Sequence, residues 1–351
     1  MQFLTRMKSE PAIHTALVLK AIRQAYGLPV EHITFLTTGW VSYCYTAETA
    51  DGESYLLKLY DESAPTPMPL VASSRDFYLP LTHQLCARQL LPQIACPVTA
   101  RDGSFSVRAG PYLLILFHFI EGEPVGFGNI TDEILVKLAG LVGRLHKSTR
   151  DLDLANPLVE GFEIAFEHVL PAGLEALANL GPSARADQRG FQDLVLPRRS
   201  EIRGYLDRLK RLQGIMRTRA REMVVCHTDL HGGNLLVDSG GNLYILDWEN
   251  ALLAPPEQDL FFFAGQDTFW DLFWPNYERE FGPARLDVDT LGFYYYRRGL
   301  EDLAEWIQRL MYADQDDEQD RSALHWATET VADLSNVETT LGKIAAHPFH
   351  H

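Results

Sequence analysis

The chain has few cysteines and no long apolar segment. No two of its four cysteines are closely spaced, so we interpret them as buried thiols in a reducing cytosol. The cysteines are Cys44, Cys86, Cys96 and Cys226. The most apolar segment, Pro111 to Ile120, is too short to span a bilayer and contains His118. Because the first ten residues also lack the apolar core of a signal peptide, we expect a cytoplasmic protein without a membrane partner.

Positive charge is also scarce and unevenly placed. The 351 residues carry 31 Lys and Arg against 47 Asp and Glu, which gives a net charge of −16. Residues 1–120 contain nine of each kind, so the whole acidic excess falls in residues 121–351. This distribution disfavours a nucleic-acid partner and would attract a cationic small molecule to the second part. An acidic surface that only maintains solubility is the alternative.

The first 120 residues have the pattern of a sheet with flanking helical segments. Apolar spacing predicts helices over residues 11–27 and about 73–90. Short runs with strand character lie between and after them. These runs are Ile33–Thr37, Ser42–Glu48, Tyr55–Tyr60, Cys96–Thr99, Ser104–Val107 and Tyr112–Phe119. We therefore predict a mainly antiparallel N-terminal lobe over residues 1–120.

The pattern changes at Ile120–Pro124, where we place the connection between two lobes. Thr131 is suited to cap the helix that follows. Apolar spacing predicts two or three further helices over about 160–222 and more over 258–346. The predicted fold class is thus α+β, with a larger, mainly helical C-terminal lobe over residues 121–351.

Two apolar runs around Gly240 and Gly241 predict a β-hairpin. If these glycines are the two turn residues, Asn234 lies directly across from Asp247, roughly 5 Å away at Cβ. An amide oxygen and a carboxylate at that distance can hold a hard cation such as Mg²⁺. The hairpin therefore predicts a metal site formed by Asn234 and Asp247.

The segment His227–Asn234 supplies a candidate catalytic base. A carboxylate at Asp229, beside a bound cation, suits phosphoryl transfer, in which positioning and charge neutralisation do most of the catalysis. We expect His227 and Asp259 to support this segment, Asp259 by hydrogen bonding back to it. The alternation of His227, Asp229 and His231 is also compatible with a zinc hydrolase, which stays open as an alternative.

Lys58 lies in the middle of the run Tyr55–Tyr60, where it must point to solvent or to a partner. A kinase would use such a lysine to contact nucleotide phosphates and would pair it with a carboxylate on the next helix, for which Asp76 is the candidate. In the preceding loop, backbone amides around Gly39 and the Ser42 hydroxyl could cradle a phosphate. An edge-strand lysine and an ordinary hairpin turn are the alternatives.

The segments His227–Asn234 and Ile245–Glu249 resemble the motifs of the aminoglycoside phosphotransferases, which have a protein-kinase-like fold and choline kinases as relatives. The resemblance implies a bilobal kinase that uses ATP and Mg²⁺. It also implies that Asp229 is the catalytic base and that Asn234 and Asp247 bind Mg²⁺.

On the nucleotide side, the resemblance implies that Lys58 holds the ATP phosphates. The adenine would lie against the connection between the lobes, at Phe119 and Ile120.

On the acceptor side, we expect a hydroxyl of a cationic aminoglycoside or aminocyclitol such as spectinomycin, an activity of the antibiotic-resistance type. Residues 300–320 hold eight acids against one base. Asp302 is the first candidate for an amine contact and Glu249 the second, with Trp270 as a wall of the site. A kinase of a metabolic alcohol (choline, a methylthio sugar or homoserine) and a non-catalytic kinase-like binding protein are the competing functions.

Overall fold

A computed structural model of the chain describes residues 10–37, 42–62, 69–312 and 317–347. An antiparallel sheet with two helices is followed by a larger, mainly helical part. The predicted α+β class is therefore confirmed. Within the described residues, no helix is both long and apolar enough to cross a bilayer.

The N-terminal part is built on a five-stranded antiparallel sheet with the strand order β1-β2-β3-β5-β4. Its elements are α1 (Thr15–Ala25), β1 (Val30–Leu36), β2 (Tyr43–Thr49), β3 (Ser54–Asp61), α2 (Pro69–Ala87), β4 (Ser106–Ala109) and β5 (Tyr112–His118). The strand predicted at Cys96–Thr99 is wrong. That segment makes only an isolated bridge from Pro97 to Phe117 on β5.

The two faces of this sheet pack against different helices because side chains alternate along each strand. Leu57 and Leu59 of β3 face α1 and share a core with its Val18. Tyr60 faces the other way and joins the core that includes α2 and the helical part of the molecule. Lys58 has the same parity as Tyr60, so the strand turns it toward the C-terminal part.

The C-terminal part contains eight helices and two small antiparallel sheets among the described residues. Its elements are β6 (Glu123–Pro124), α3 (Asp132–Ser148), α4 (Val169–Ala178), α5 (Ala186–Val195), α6 (Arg199–Thr218), β7 (Val224–Cys226), β8 (Leu235–Val237), β9 (Leu243–Ile245), β10 (Leu252–Ala254), α7 (Glu257–Ala264), α8 (Trp274–Phe281), α9 (Val288–Tyr312) and α10 (Asp317–Ala345). One sheet has the order β6-β8-β9, and β10 pairs with β7 in the other. Thr131 caps α3 as predicted, because its hydroxyl accepts a hydrogen bond from the backbone N–H of Ile134 at 3.3 Å.

The β8–β9 hairpin forms, but its predicted register is wrong by one residue. Leu235 pairs with Ile245, and the Leu246 N–H donates to the Asn234 carbonyl at 2.8 Å. The cause is Asp238, whose Oδ1 accepts from the Asn242 N–H at 2.8 Å and closes a three-residue turn. Asn234 therefore lies opposite Leu246 and not opposite Asp247.

The prediction of four free thiols is also wrong. Cys86 at the end of α2 forms a disulfide with Cys96, with their Cα atoms 6.1 Å apart. Their sequence separation of ten residues carries no pairing signal, whereas the fold brings the end of α2 alongside the segment that follows it. Cys44 and Cys226 are free and buried, as predicted.

Candidate active site

Lys58 lies on a central strand, between β2 and β5, so the edge-strand alternative is wrong. Its Nζ donates to Asp247 Oδ1 at 2.9 Å and to Glu249 Oε1 at 2.7 Å. The ammonium also lies 5.9 Å from the centre of the Phe117 ring. Burial opposes the charge of Lys58, but Asp247 and Glu249 outweigh it and raise the pKa of the ammonium well above its usual value.

The predicted partner of Lys58 is wrong. The side chain of Asp76 is 72% exposed and pairs with its neighbour Arg75 at 2.9 Å. The partners come from beyond β9, 189 and 191 residues away in sequence. The Oε1 of Glu249 binds Lys58 and the Tyr60 hydroxyl, and the acceptor contact predicted for Glu249 stays a prediction.

The loop that carries Asp229 is held in shape by Asp259. The Oδ2 of Asp259 accepts from the His227 N–H at 2.9 Å, and its Oδ1 accepts from the Thr228 N–H at 2.7 Å. Thr228 has a left-handed φ of 74°, which is uncommon for a β-branched residue. The fully buried Asp259 holds this sharp bend, and the hydrogen bonding back to the loop that the sequence predicted is present.

His227 supports the same loop from the other side. It is fully buried, its Nδ1 accepts from the Asp229 N–H at 3.3 Å and its Nε2 donates to the Leu246 carbonyl at 2.8 Å. Because both ring nitrogens are occupied by backbone, His227 cannot ligate a metal with Asp229 and His231. The zinc-hydrolase alternative is therefore wrong.

Asp229 is strongly acidic in this setting. Burial raises its pKa, but the hydrogen bond and charge of His231, with smaller effects from Arg298 and His227, outweigh burial and lower the pKa to about 2. His231 Nε2 lies 3.2 Å from Asp229 Oδ2. The carboxylate is thus ionised at neutral pH and is held in one orientation.

Asn234 contacts this carboxylate and Asp247 lies near enough to feel its charge, despite the shifted hairpin register. Asn234 Nδ2 donates to the Asp229 carbonyl at 2.9 Å and to Asp229 Oδ2 at 3.2 Å, which turns its amide oxygen the other way. Asp247 leaves β9 with φ 63° and ψ 66°, a left-handed turn. Lys58 lowers the pKa of Asp247, whereas the nearby charge of Asp229 raises it. One cluster at the junction of the two parts therefore contains the side chains of Lys58, Asp229, Asn234 and Asp247.

Arg298 is a member of this site that the sequence analysis missed. It lies on α9, 3.7 Å from Asp229 Oδ1 through its Nη1 and 3.2 Å from Asp302 through its Nε. The spacing of four residues between Arg298 and Asp302 is a helical ion-pair signal that could have revealed it. Burial raises the pKa of Asp302 to about 6, although Arg298 opposes the shift. Asp302 is thus connected to Asp229 through one guanidinium group.

The remaining predicted residues have mixed placements. Phe119 and Ile120 follow β5 directly, and Phe119 is exposed. Ser42 is buried before β2, with its hydroxyl 3.6 Å from Cys44 Sγ. Trp270 stacks on His347 at 4.1 Å and packs against Trp274, so the structure gives it a packing role. The functions predicted for these four residues stay predictions, and Gly39 lies outside the described residues.

Comparison with known proteins places this chain in a family. The family model for a phosphotransferase enzyme family, abbreviated APH, matches residues 32–306. The chain belongs to this family. The resemblance to the aminoglycoside phosphotransferases is thereby confirmed.

A curated relative of the chain is distant in sequence. Protein StrN of Streptomyces griseus is 26% identical over 227 residues, a match that covers 62% of this chain and 64% of StrN. The chain therefore spans somewhat less than two thirds of the length of this curated relative.

Solved structures show the same fold over nearly the whole chain. A spectinomycin phosphotransferase in complex with ADP and spectinomycin has a TM-score of 0.71 and 18% identity, covering 93% of this chain and 99% of its own. An amicoumacin kinase in complex with AMP-PNP, Ca²⁺ and its ligand Ami has a TM-score of 0.60 and 16% identity, covering 96% and 97%. At these identities the likeness concerns the fold alone.

Proposed function

We propose that this phosphotransferase is an ATP- and Mg²⁺-dependent kinase that phosphorylates a hydroxyl group of a small cationic acceptor. The observation that carries the proposal is the cluster of Lys58, Asp229, Asn234 and Asp247. It supplies a cation for phosphates, a carboxylate for an acceptor hydroxyl and two oxygen donors for a metal at one junction.

The nucleotide side of the site is the face of the sheet that carries Lys58. Its ammonium remains charged, because Asp247 and Glu249 raise its pKa, and is available to bind phosphate oxygens. The exposed Phe119 follows β5 at the connection and offers an apolar surface to a base. Related folds solved with ADP and with AMP-PNP support nucleotide binding at this junction.

The donor set fits Mg²⁺. The amide nitrogen of Asn234 is directed at Asp229, which leaves its oxygen as the ligand atom, and Asp247 adds an ionised carboxylate. Hard oxygen donors of this kind are the ligands that Mg²⁺ prefers. When bound, Mg²⁺ neutralises charge on the phosphates during transfer.

Asp229 orients the acceptor hydroxyl and receives its proton. A carboxylate whose pKa is about 2 is too weak a base to deprotonate a free alcohol. In a loose phosphoryl-transfer transition state the proton leaves late, when the hydroxyl oxygen is already acidified by bond formation. Asp229 therefore needs a fixed position more than basicity, and His231 and Asn234 provide it.

The acceptor side is acidic, which favours an aminoglycoside or aminocyclitol such as spectinomycin, and with it an activity of the antibiotic-resistance type. Asp302 is largely buried beside Arg298, and the charge of Glu301 further disfavours its ionisation. An ammonium group of the acceptor would relieve this repulsion. Asp302 is accordingly the proposed amine contact.

Arg298 favours a second candidate acceptor. Its guanidinium already offsets part of the negative charge of Asp229 and Asp302. An acceptor with a single ammonium group, such as choline or another small amino alcohol, would meet less repulsion from this guanidinium than a polyamine does. A kinase of such a metabolic alcohol is therefore the alternative within the same reaction class.

A coupled ADP-release screen tests the proposal. Purified protein with Mg²⁺ and ATP is offered spectinomycin, other aminocyclitols, aminoglycosides, choline and neutral sugars, and Asp229→Asn protein serves as the matched inactive control. We expect acceptor-dependent ADP release with a cationic antibiotic of the first three groups. Release with choline alone would support the second candidate, and release with none would contradict both.

A further inference from the structure

Lys58 has two carboxylate partners in very different surroundings. The side chain of Asp247 is 51% exposed, whereas that of Glu249 is only 14% exposed, close to the 13% of Lys58 itself. Glu249 Oε1 accepts from Lys58 Nζ at 2.7 Å and from the Tyr60 hydroxyl, also at 2.7 Å. Glu249 is therefore the more deeply enclosed and more firmly held partner.

The position of Glu249 is fixed by the sheet. Lys58 and Tyr60 are two residues apart on β3, so both side chains leave the same face of the strand. Glu249 lies in the short helical turn Trp248–Asn250, which packs against α2. The Glu249 carboxylate thus bridges the Lys58 and Tyr60 side chains from the side of the sheet that faces α2.

Helix α2 offers no competing carboxylate. Asp76 is the only acidic residue in the sequence Pro69–Ala87, and it is paired with Arg75 at the surface. Lys58 has three ammonium donors. Two of them bind Asp247 and Glu249.

We propose that Glu249 is the positioning residue of Lys58 and takes the place of a carboxylate on α2. This inference rests on the proposed function. If Asp247 were to bind Mg²⁺, Glu249 would still hold the Lys58 ammonium in its position on the face of the sheet. The Tyr60 hydroxyl helps to fix the Glu249 carboxylate by donating a hydrogen bond to it.

Calorimetric titration with Mg²⁺ and ADP, without acceptor, tests the inference on wild type, Glu249→Gln, Asp76→Asn and Tyr60→Phe. We expect Glu249→Gln to weaken ADP binding by about 10- to 100-fold, because a charge-assisted hydrogen bond is lost. Asp76→Asn is the matched control and should leave the Kd unchanged. Tyr60→Phe should weaken binding about 3-fold and keeps the test valid if Glu249→Gln fails to fold.

Steady-state kinetics adds a readout that general destabilisation would not produce. The KM for ATP should rise in Glu249→Gln while the KM for the acceptor stays the same. Unchanged ADP affinity in Glu249→Gln and Tyr60→Phe, or a loss in Asp76→Asn instead, would overturn the inference. So would full rescue of Glu249→Gln by excess Mg²⁺, which would make Glu249 a metal ligand. Failure of the wild type to bind Mg²⁺ and ADP would instead overturn the proposed function.

Discussion

At the scale of single residues, the acidity of Asp229 follows from its neighbours. His231, Arg298 and His227 favour the carboxylate over the acid by more than burial disfavours it. The same neighbours fix its direction, because Asn234 and His231 both contact its Oδ2. The carboxylate is therefore both charged and fixed in direction, as the proposed orientation of an acceptor hydroxyl requires.

We predict that Asp229→Asn lowers turnover by about 10²- to 10⁴-fold, the usual contribution of a positioned acid or base. The amide keeps the shape of the side chain but loses its charge and its capacity to take a proton. Steady-state ADP release measures the effect, and ADP affinity serves as the control for folding. Turnover close to that of the wild type would remove Asp229 from the reaction.

Asp302 gives a pH-dependent prediction. Its pKa is raised to about 6 from the usual 3.8, so the folded state binds its proton more tightly than the unfolded state does. The resulting stabilisation is complete below pH 3.8 and is lost as the pH rises through about 6. At pH 8 the folded wild type bears the cost of keeping a buried Asp302 ionised, and Asp302→Asn removes that cost. We therefore expect the variant to be more stable than the wild type at pH 8 by up to about 3 kcal/mol.

Chemical denaturation of both proteins at pH 4 and pH 8 measures this difference. The gain should be present at pH 8 and absent at pH 4. The same substitution should raise the acceptor KM if Asp302 binds an amine. A variant that is less stable than the wild type at pH 8 would show that the Arg298 ion pair, and not burial, dominates at Asp302.

At the scale of elements, the disulfide joins the end of α2 to the segment that precedes β4. Cys96 also accepts a backbone hydrogen bond from His118, the last residue of β5, through its carbonyl at 2.9 Å. The crosslink therefore ties α2 to the strand that leads into the connection between the two parts.

We expect two reactive thiols in the denatured, unreduced protein and four after reduction. The paired substitution Cys86→Ser with Cys96→Ser should cost about 3 kcal/mol of stability, because a short loop in the unfolded chain is no longer closed. Thiol titration and denaturation measure both effects, with Cys44→Ser as the single-site control. Four reactive thiols before reduction would exclude the disulfide.

The elements also show what the sequence could and could not predict. The strand at Tyr55–Tyr60 and the cap at Thr131 are local features, and both were predicted correctly. The hairpin register failed because the Asp238 side chain closed a three-residue turn, where the glycines alone suggested two. The prediction of a partner for Lys58 failed because Glu249 lies 191 residues away in the sequence. Local periodicity cannot indicate which distant side chain fills such a position.

At the scale of the whole molecule, the site exists only where the two parts meet. Lys58 comes from the sheet, Asp229, Asn234 and Asp247 from the loops around β8 and β9, and Arg298 from α9. The sequence identified the central loop, Lys58 and Asp302 as candidates, whereas the partners of Lys58 and the place of Arg298 on α9 required the fold. The uneven charge is also a property of the whole chain, since all of the −16 lies beyond residue 120.

This charge distribution predicts that a cationic acceptor binds more weakly as salt is added. Raising the ionic strength from 0.01 to 0.15 M shortens the Debye length from about 30 to about 8 Å. We expect the acceptor KM to rise at least about 3-fold over this range and the rise to be smaller in Asp302→Asn. An acceptor KM that is independent of salt would argue against electrostatic capture.

The most direct test is ³¹P nuclear magnetic resonance of the protein with Mg²⁺, ATP and the acceptor that releases the most ADP. The cluster of Lys58, Asp229, Asn234 and Asp247 predicts a new phosphate monoester signal that grows as ATP is consumed and is absent with Asp247→Asn. Inorganic phosphate as the sole product, or the same monoester from Asp247→Asn protein, would contradict it.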